Sequence, residues 1–289
     1  RAIHSVADTA NQALLLVGLR RAEKPPTLLH PFGHAVESYF WPFMVSILIF
    51  MLGGVFAFYE GAHTLISMMR GHHETEYGSP VWSYVVLGTS IVLEGLSFRV
   101  AFAEFQKMRA GRTIWATLLH AKDPTVPVVL AEDTAALFGL IIAFIAVGLS
   151  HTTGWHGFDA IGSLLIGILL AAVAWFLAKR THSLLLGEAA SEEDRANVAK
   201  VAKSVEGVRE VRQLLSMHLG PTSVVLALKV SFDPALTMSG LEATIDALED
   251  AIRAAMPHMR YIFVEPDGNY EHKHDLSRPS SLPESMRQD

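Results

Sequence analysis

The sequence predicts an α-helical membrane domain followed by a small α+β domain of open ferredoxin-like type. Three observations carry this. The 289 residues are 51% hydrophobic and only 18% charged, with a mean hydropathy of +0.31, whereas soluble domains carry about a quarter charged residues. The apolar residues gather before about residue 187, and five stretches there have the ~20 mainly apolar residues that cross a bilayer. The last third alternates and repeats like an ordinary soluble domain.

The first stretch is Ala2 to Leu19, and the second runs from Tyr39 to about Met68. The third runs from Val81 to about Phe105, the fourth from Val126 to about Ser150, and the fifth from Phe158 to about Ala178. Residues 141–147 and 164–176 are apolar on every helical face. Such helices belong in lipid or in a core larger than this chain can build. Arg20, Arg21 and Lys24 follow the first stretch, Lys107, Arg109, Arg112 and Lys122 follow the third, and Lys179 and Arg180 follow the fifth. The opposite connections hold only Arg70. Basic loops stay in the cytoplasm, so the C-terminal domain is predicted there too.

In that domain, Ser191 followed by Glu192, Glu193 and Asp194 predicts a capped helix start. A strand is expected around Val208 to Met217. Val224, Leu226, Leu228, Val230 and Phe232 alternate as one face of a half-buried strand. Leu241, Ile245, Leu248 and Ile252 repeat at helical spacing, and Tyr261 to Val264 forms a last short strand. The order helix, strand, strand, helix, strand gives the ferredoxin-like reading. The expected domains are residues 1–187 in the membrane and 188–268 in the cytoplasm, with 269–289 a polar, Ser/Pro-rich tail read as disordered.

Net charge is −6, which excludes nucleic acid as the natural partner. There is no cysteine, so any metal must be held by His, Asp, Glu, Asn or water. Ionisable residues inside spans are costly and mark function. His4 and Asp8 stand at i, i+4 on one helix face, and Asn11 and Gln12 extend it by a turn. Glu94 lies near the middle of the third stretch, and Glu132 and Asp133 lie in the fourth. An imidazole with carboxylates from neighbouring helices suits Zn²⁺, Mn²⁺, Co²⁺ or Fe²⁺. An isolated His-x-x-x-Asp also serves as a local polar contact near a helix end; the carboxylates on two further spans favour a metal site. His72 and His73, and His272 and His274 in the tail, read as solvated pairs.

At these residues the sequence resembles the cation diffusion facilitator family of metal/proton antiporters, in a divergent branch that includes a mitochondrial zinc exporter. His4-Ser5-Val6-Ala7-Asp8 resembles the family's second-helix metal motif, and His30-Pro31-Phe32-Gly33-His34 its cytoplasmic histidine loop. Asp133 through Gly139 is similar to the fifth-helix segment, Asp159 through Ser163 to the start of the sixth, and Val264-Glu265-Pro266 to the end of the cytoplasmic domain. The chain opens on Arg1 without a signal-peptide pattern, and the resemblance implies six helices in the intact transporter, the first absent here.

The resemblance implies a homodimeric antiporter with zinc as the transported substrate (Mn, Co or Fe as alternatives) and protons as counter-ion. It implies ligands at His4, Asp8 and Asp133, and a second site at His30 and His34. It implies no catalytic or cofactor-binding residue. A bacterial inner membrane is the expected setting. Departures from the family pattern bear on the ligands. Val129 stands where the fifth helix usually has histidine, leaving Glu132, Glu94, Asn11 or a water for the fourth position. Glu132 lies about 100° round the helix from Asp133 and is expected to join only through rotation or distortion. Thr27 replaces an acidic residue before His30, and Phe263 replaces a histidine before Val264, so a zinc site between cytoplasmic domains is not expected. An intramembrane metal hydrolase using Glu132 or Glu94 as base, or a metal sensor, are the rival readings. No His-Glu-x-x-His pair supports the first.

Overall fold

The computed structural model describes the backbone of residues 2–70, 80–109, 111–155 and 157–268, and side chains from Asn11 onward in those segments, Pro80 excepted. It divides into two compact units. The first takes in the chain to Glu188 with His218–Pro221, and the second holds Ala189–Met217 and the chain from Thr222.

The first unit is helical: α1 (Ala2–Ala22), α2 (Glu37–Leu48), a π-helical segment (Ile49–Val55), α3 (Phe56–Met69), α4 (Pro80–Arg109), α5 (Ile114–His120), α6 (Thr125–Thr153) and α7 (Gly157–Leu186). Among the described residues, four helices are long and apolar enough to cross a membrane: Glu37–Met69, Val81–Arg109, Thr125–Thr153 and Gly157–Leu186. The helix α1 stands outside that set. The spans keep an apolar exterior. On α4, Val92, Leu96 and Val100 are 62%, 56% and 66% exposed, a surface that only lipid or another apolar face satisfies. The chain is an integral membrane protein.

Small residues set how closely these helices approach. A Cβ on Gly61 would lie 2.8 Å from Ala160 O and from Leu164 N, and one on Gly167 would lie 2.7 Å from Phe58 N. The helices α3 and α7 therefore meet backbone to backbone, as apolar spans do where hydrophobic burial offers no drive. Between α6 and α7, a Cβ on Gly162 would lie 2.6 Å from the Ala146 methyl. The π-helical turn holds Gly53 and Gly54 against this same seam, beside Leu170 and Ala171. Elsewhere α1 packs along α2, and α6 lies between α4 and α7.

An ionic cluster closes the end of α7. Glu188 accepts from Lys122 Nζ at 2.7 Å, from Ser183 Oγ at 2.7 Å and from Arg180 Nη1. Arg180 Nη2 donates onward to Ala121 O at 2.7 Å, tying the α5–α6 connection to α7. Burial alone would push the Glu188 carboxyl upward, but the donated hydrogen bonds and the Arg180 charge outweigh it and hold the pKa at about 2. A carboxyl depressed on folding contributes stability above its unfolded value and loses it as pH falls through the folded one. Glu188→Gln is therefore expected to lower the melting temperature at pH 7, with the gap to the parent closing between about pH 4.5 and 2. Thermal unfolding of both proteins across that window checks this; a gap that stays constant contradicts it.

The second unit runs α8 (Glu192–Ser204), β1 (Val208–Gly220), β2 (Ser223–Phe232), α9 (Met238–Ala255), β3 (Met259–Pro266). The sheet order is β1-β2-β3, with β2 parallel to β3 and Leu226 opposite Ile262. This is the ferredoxin-like arrangement that the sequence predicts. Ser191 caps α8 by accepting from Asp194 N, and Val224, Leu226, Leu228 and Val230 are buried against Val198, Leu248 and Ile252. One stripe differs from expectation. The buried line of α9 is Thr244, Leu248 and Ile252, with Leu241 and Ile245 only half-buried. Thr244 is accommodated because its hydroxyl donates to Gly240 O at 2.9 Å.

Candidate metal centre

Three helices bring polar groups together inside the membrane unit. On α1, Asn11 is buried and Gln12 is exposed. Residues 11 and 12 lie about 100° apart on a helix, flanking the line through positions 4 and 8 on either side. The backbones of His4 and Asp8 are helical, while their side chains lie outside the described residues.

On α6, Asp133 is 5% exposed and accepts a hydrogen bond from Ser97 Oγ of α4 at 2.9 Å. Its neighbour Glu132 accepts from Asn11 Nδ2 at 2.7 Å. Glu132 meets Asn11 with α6 an α-helix from Thr125 to Thr153. The helices α1 and α4 approach α6 from different directions, so residues ~100° apart each find a partner. Glu94 is half-buried, one turn before Ser97 on α4. Val129 is packed among apolar side chains, including Val128 and Ala135, and offers no ligand.

Asn11 and Ser97, which donate to the adjacent carboxylates, are neutral. An amide and a hydroxyl orient a carboxylate without cancelling its charge, and an ionised carboxylate in a span is costly until a cation joins it. Among the described residues, no three His, Asp or Glu side chains are gathered closely enough to hold a metal by themselves. Sequence reasoning missed Ser97. The available signal was a serine one turn from Glu94 in the same span.

In the loop after α1, the His30 and His34 rings lie 4.7 Å apart, edge to face. The turn is fixed by Thr27 N donating to His30 O at 3.0 Å and by Gly33 at φ +79°, a value that favours glycine. His34 Nδ1 is buried without a hydrogen-bond partner among the described residues. Thr27 accepts from His30 N through Oγ1 at 3.1 Å, so it shapes the turn. In the second unit Phe263 is 53% exposed on β3. The pairs His72–His73 and His272–His274 lie outside the described residues.

Apolar spans with carboxylates buried between them define a membrane cation-binding protein. Residues 1–186 match the cation efflux transmembrane domain and residues 190–268 match the cation efflux protein cytoplasmic domain. The chain belongs to the cation efflux family. It is 33% identical over 234 residues to the proton-coupled zinc antiporter SLC30A9, mitochondrial, of Mus musculus, covering 80% of this chain and 40% of that protein. It is 34% identical over 233 residues to metal tolerance protein C4 of Arabidopsis thaliana, covering 80% and 50%. The manganese efflux system protein MneP of Bacillus subtilis is 22% identical over 82% of this chain and 74% of its own length. The chain thus spans about half or less of the length of the animal and plant relatives.

Proposed function

We propose that this chain exports a divalent cation, zinc foremost, from the cytoplasm in exchange for protons, working as a homodimer. The observation that carries this is the adjacent pair Glu132 and Asp133, held within the spans by neutral donors from α1 and α4. His4 and Asp8 complete the centre from α1, with His4, Asp8 and Asp133 as ligands and the fourth drawn from Glu132, Glu94 and Asn11. The imidazole at His4 favours zinc over harder ions. The named activity of the mouse relative supports the same metal and the proton coupling. Residues 188–268 form the cytoplasmic domain through which two copies associate. His30 and His34 form a loading point at the cytoplasmic mouth. A bacterial inner membrane is the proposed setting, in keeping with the Bacillus subtilis relative.

Metal and protons compete for the same lone pair on His4, so apparent affinity falls as pH drops through the imidazole's titration, by up to about tenfold per unit for each proton displaced. Uptake of Zn²⁺, Mn²⁺, Co²⁺ and Fe²⁺ by proteoliposomes containing the purified chain tests the reading. Zinc is expected to accumulate fastest, and more slowly at pH 6 than at pH 7.5. Impermeability to all four metals contradicts it. Uptake with no product formed also separates a transporter from a metal-dependent hydrolase.

A further inference from the structure

The helix α6 offers two neighbouring carboxylates but, on the stripe of Asp133, no second donor. One turn before Asp133 stands Val129, partly buried and packed against the apolar clusters on either side of α6. Another α6 ligand has to come from a different stripe. Glu132 is that residue only if something draws it towards α1, since a free glutamate has three rotatable bonds and an unfavourable apolar surrounding. The Asn11 amide does this. It is 3% exposed, it donates through Nδ2 to Glu132 Oε1 at 2.7 Å, and it lies three residues after Asp8 and seven after His4 on α1.

We propose that Asn11 is a positioning residue for the transported cation: it aims Glu132 at the His4–Asp8 stripe, so that Glu132 fills the coordination position that Val129 cannot. This rests on the cation-transport reading given above. Ser97 donates to Asp133 from α4, so the two carboxylates take hydrogen bonds from different helices. The resulting donor set is one imidazole with three carboxylates, Asp8, Glu132 and Asp133. Oxygen-rich sites discriminate less sharply against manganese than nitrogen-rich ones do, so Glu132 also sets how far the centre prefers zinc.

Calorimetric zinc and manganese titrations of the purified full chain, with variants first checked by size exclusion, test this without requiring transport. Asn11→Ala is expected to weaken zinc binding about 10–100-fold, the usual loss when the partner orienting a ligand is removed. Glu132→Gln is expected to weaken it at least as much and to raise the zinc-to-manganese preference. The double variant is expected to bind as Glu132→Gln alone does, because Asn11 acts through Glu132. Asn11→Gln, which keeps the amide donor, is expected to recover part of the loss. If Asn11→Ala costs as much with Gln at 132 as with Glu, or if Glu132→Gln binds zinc like the parent, the assignment is overturned. A parent protein that binds zinc with these dependences yet moves no metal overturns the transport reading and leaves this inference standing.

Discussion

Asp133→Ala is expected to abolish metal uptake while leaving a folded protein. Asp133 is almost fully buried in a span, and in the proposed centre its charge would offset the cost of stripping water from a divalent cation. Losing a direct ligand is expected to exceed the roughly 10–100-fold effect of losing an outer partner. The metal-free variant is expected to be at least as heat-stable as the parent, because an ionised carboxylate buried in a span is costly to desolvate even where a neutral hydroxyl donates to it. Ser97, deprived of its acceptor, can turn its hydroxyl to the carbonyl one turn earlier on α4. Metal uptake and thermal unfolding measured on the same preparation check both halves. Near-parental uptake contradicts the site, and failure to fold would make Asp133 a structural group.

Gly167→Leu is expected to be the most damaging single change to the membrane unit. Any Cβ at 167 would lie 2.7 Å from Phe58 N and 2.9 Å from Phe58 Cα, and neither backbone atom can swing aside as a side chain would. The α3–α7 seam must open along its length, with loss of the contacts at Gly54 and Gly61. Overpacking in a core costs about 1–3 kcal/mol, and a clash with fixed backbone lies at or above the upper end. Loss of monodisperse protein, or a melting temperature lower by several degrees, is expected. Gly88→Ala on α4, where an added Cβ meets nothing within 4 Å, is the control. It is expected to be neutral or to stabilise by up to about 1 kcal/mol through helix propensity. Equal damage from both variants would contradict the close-packing account.

What the sequence made legible follows from the strength of each physical signal. Apolar runs long enough to span a bilayer left little choice of structure for the stretch from α2 through α3 and for α4, α6 and α7, whereas the seven-residue α5 carried no such signal. Alternation along Val224–Phe232 and the Ser191 cap were equally direct. The π-helical turn at Ile49–Val55 was not, because it keeps the same apolar composition as the helix around it. Thr244 was overlooked because periodicity counts hydrophobic residues, and a threonine bonded to its own helix buries nearly as well. At the site, helical spacing grouped His4 and Asp8 and singled out the carboxylates of α4 and α6. It could not reveal that Glu132 and Asp133 reach different neighbours, since that depends on where α1 and α4 stand around α6.

The most direct test of the central claim is zinc entry and luminal pH recorded together in proteoliposomes containing the purified chain, loaded acidic and diluted into neutral buffer. The account predicts that zinc accumulates while the lumen becomes more alkaline in step, and that Asp133→Ala removes both signals. Zinc entry with no pH response, or a pH response independent of zinc, would contradict exchange of metal for protons at this centre.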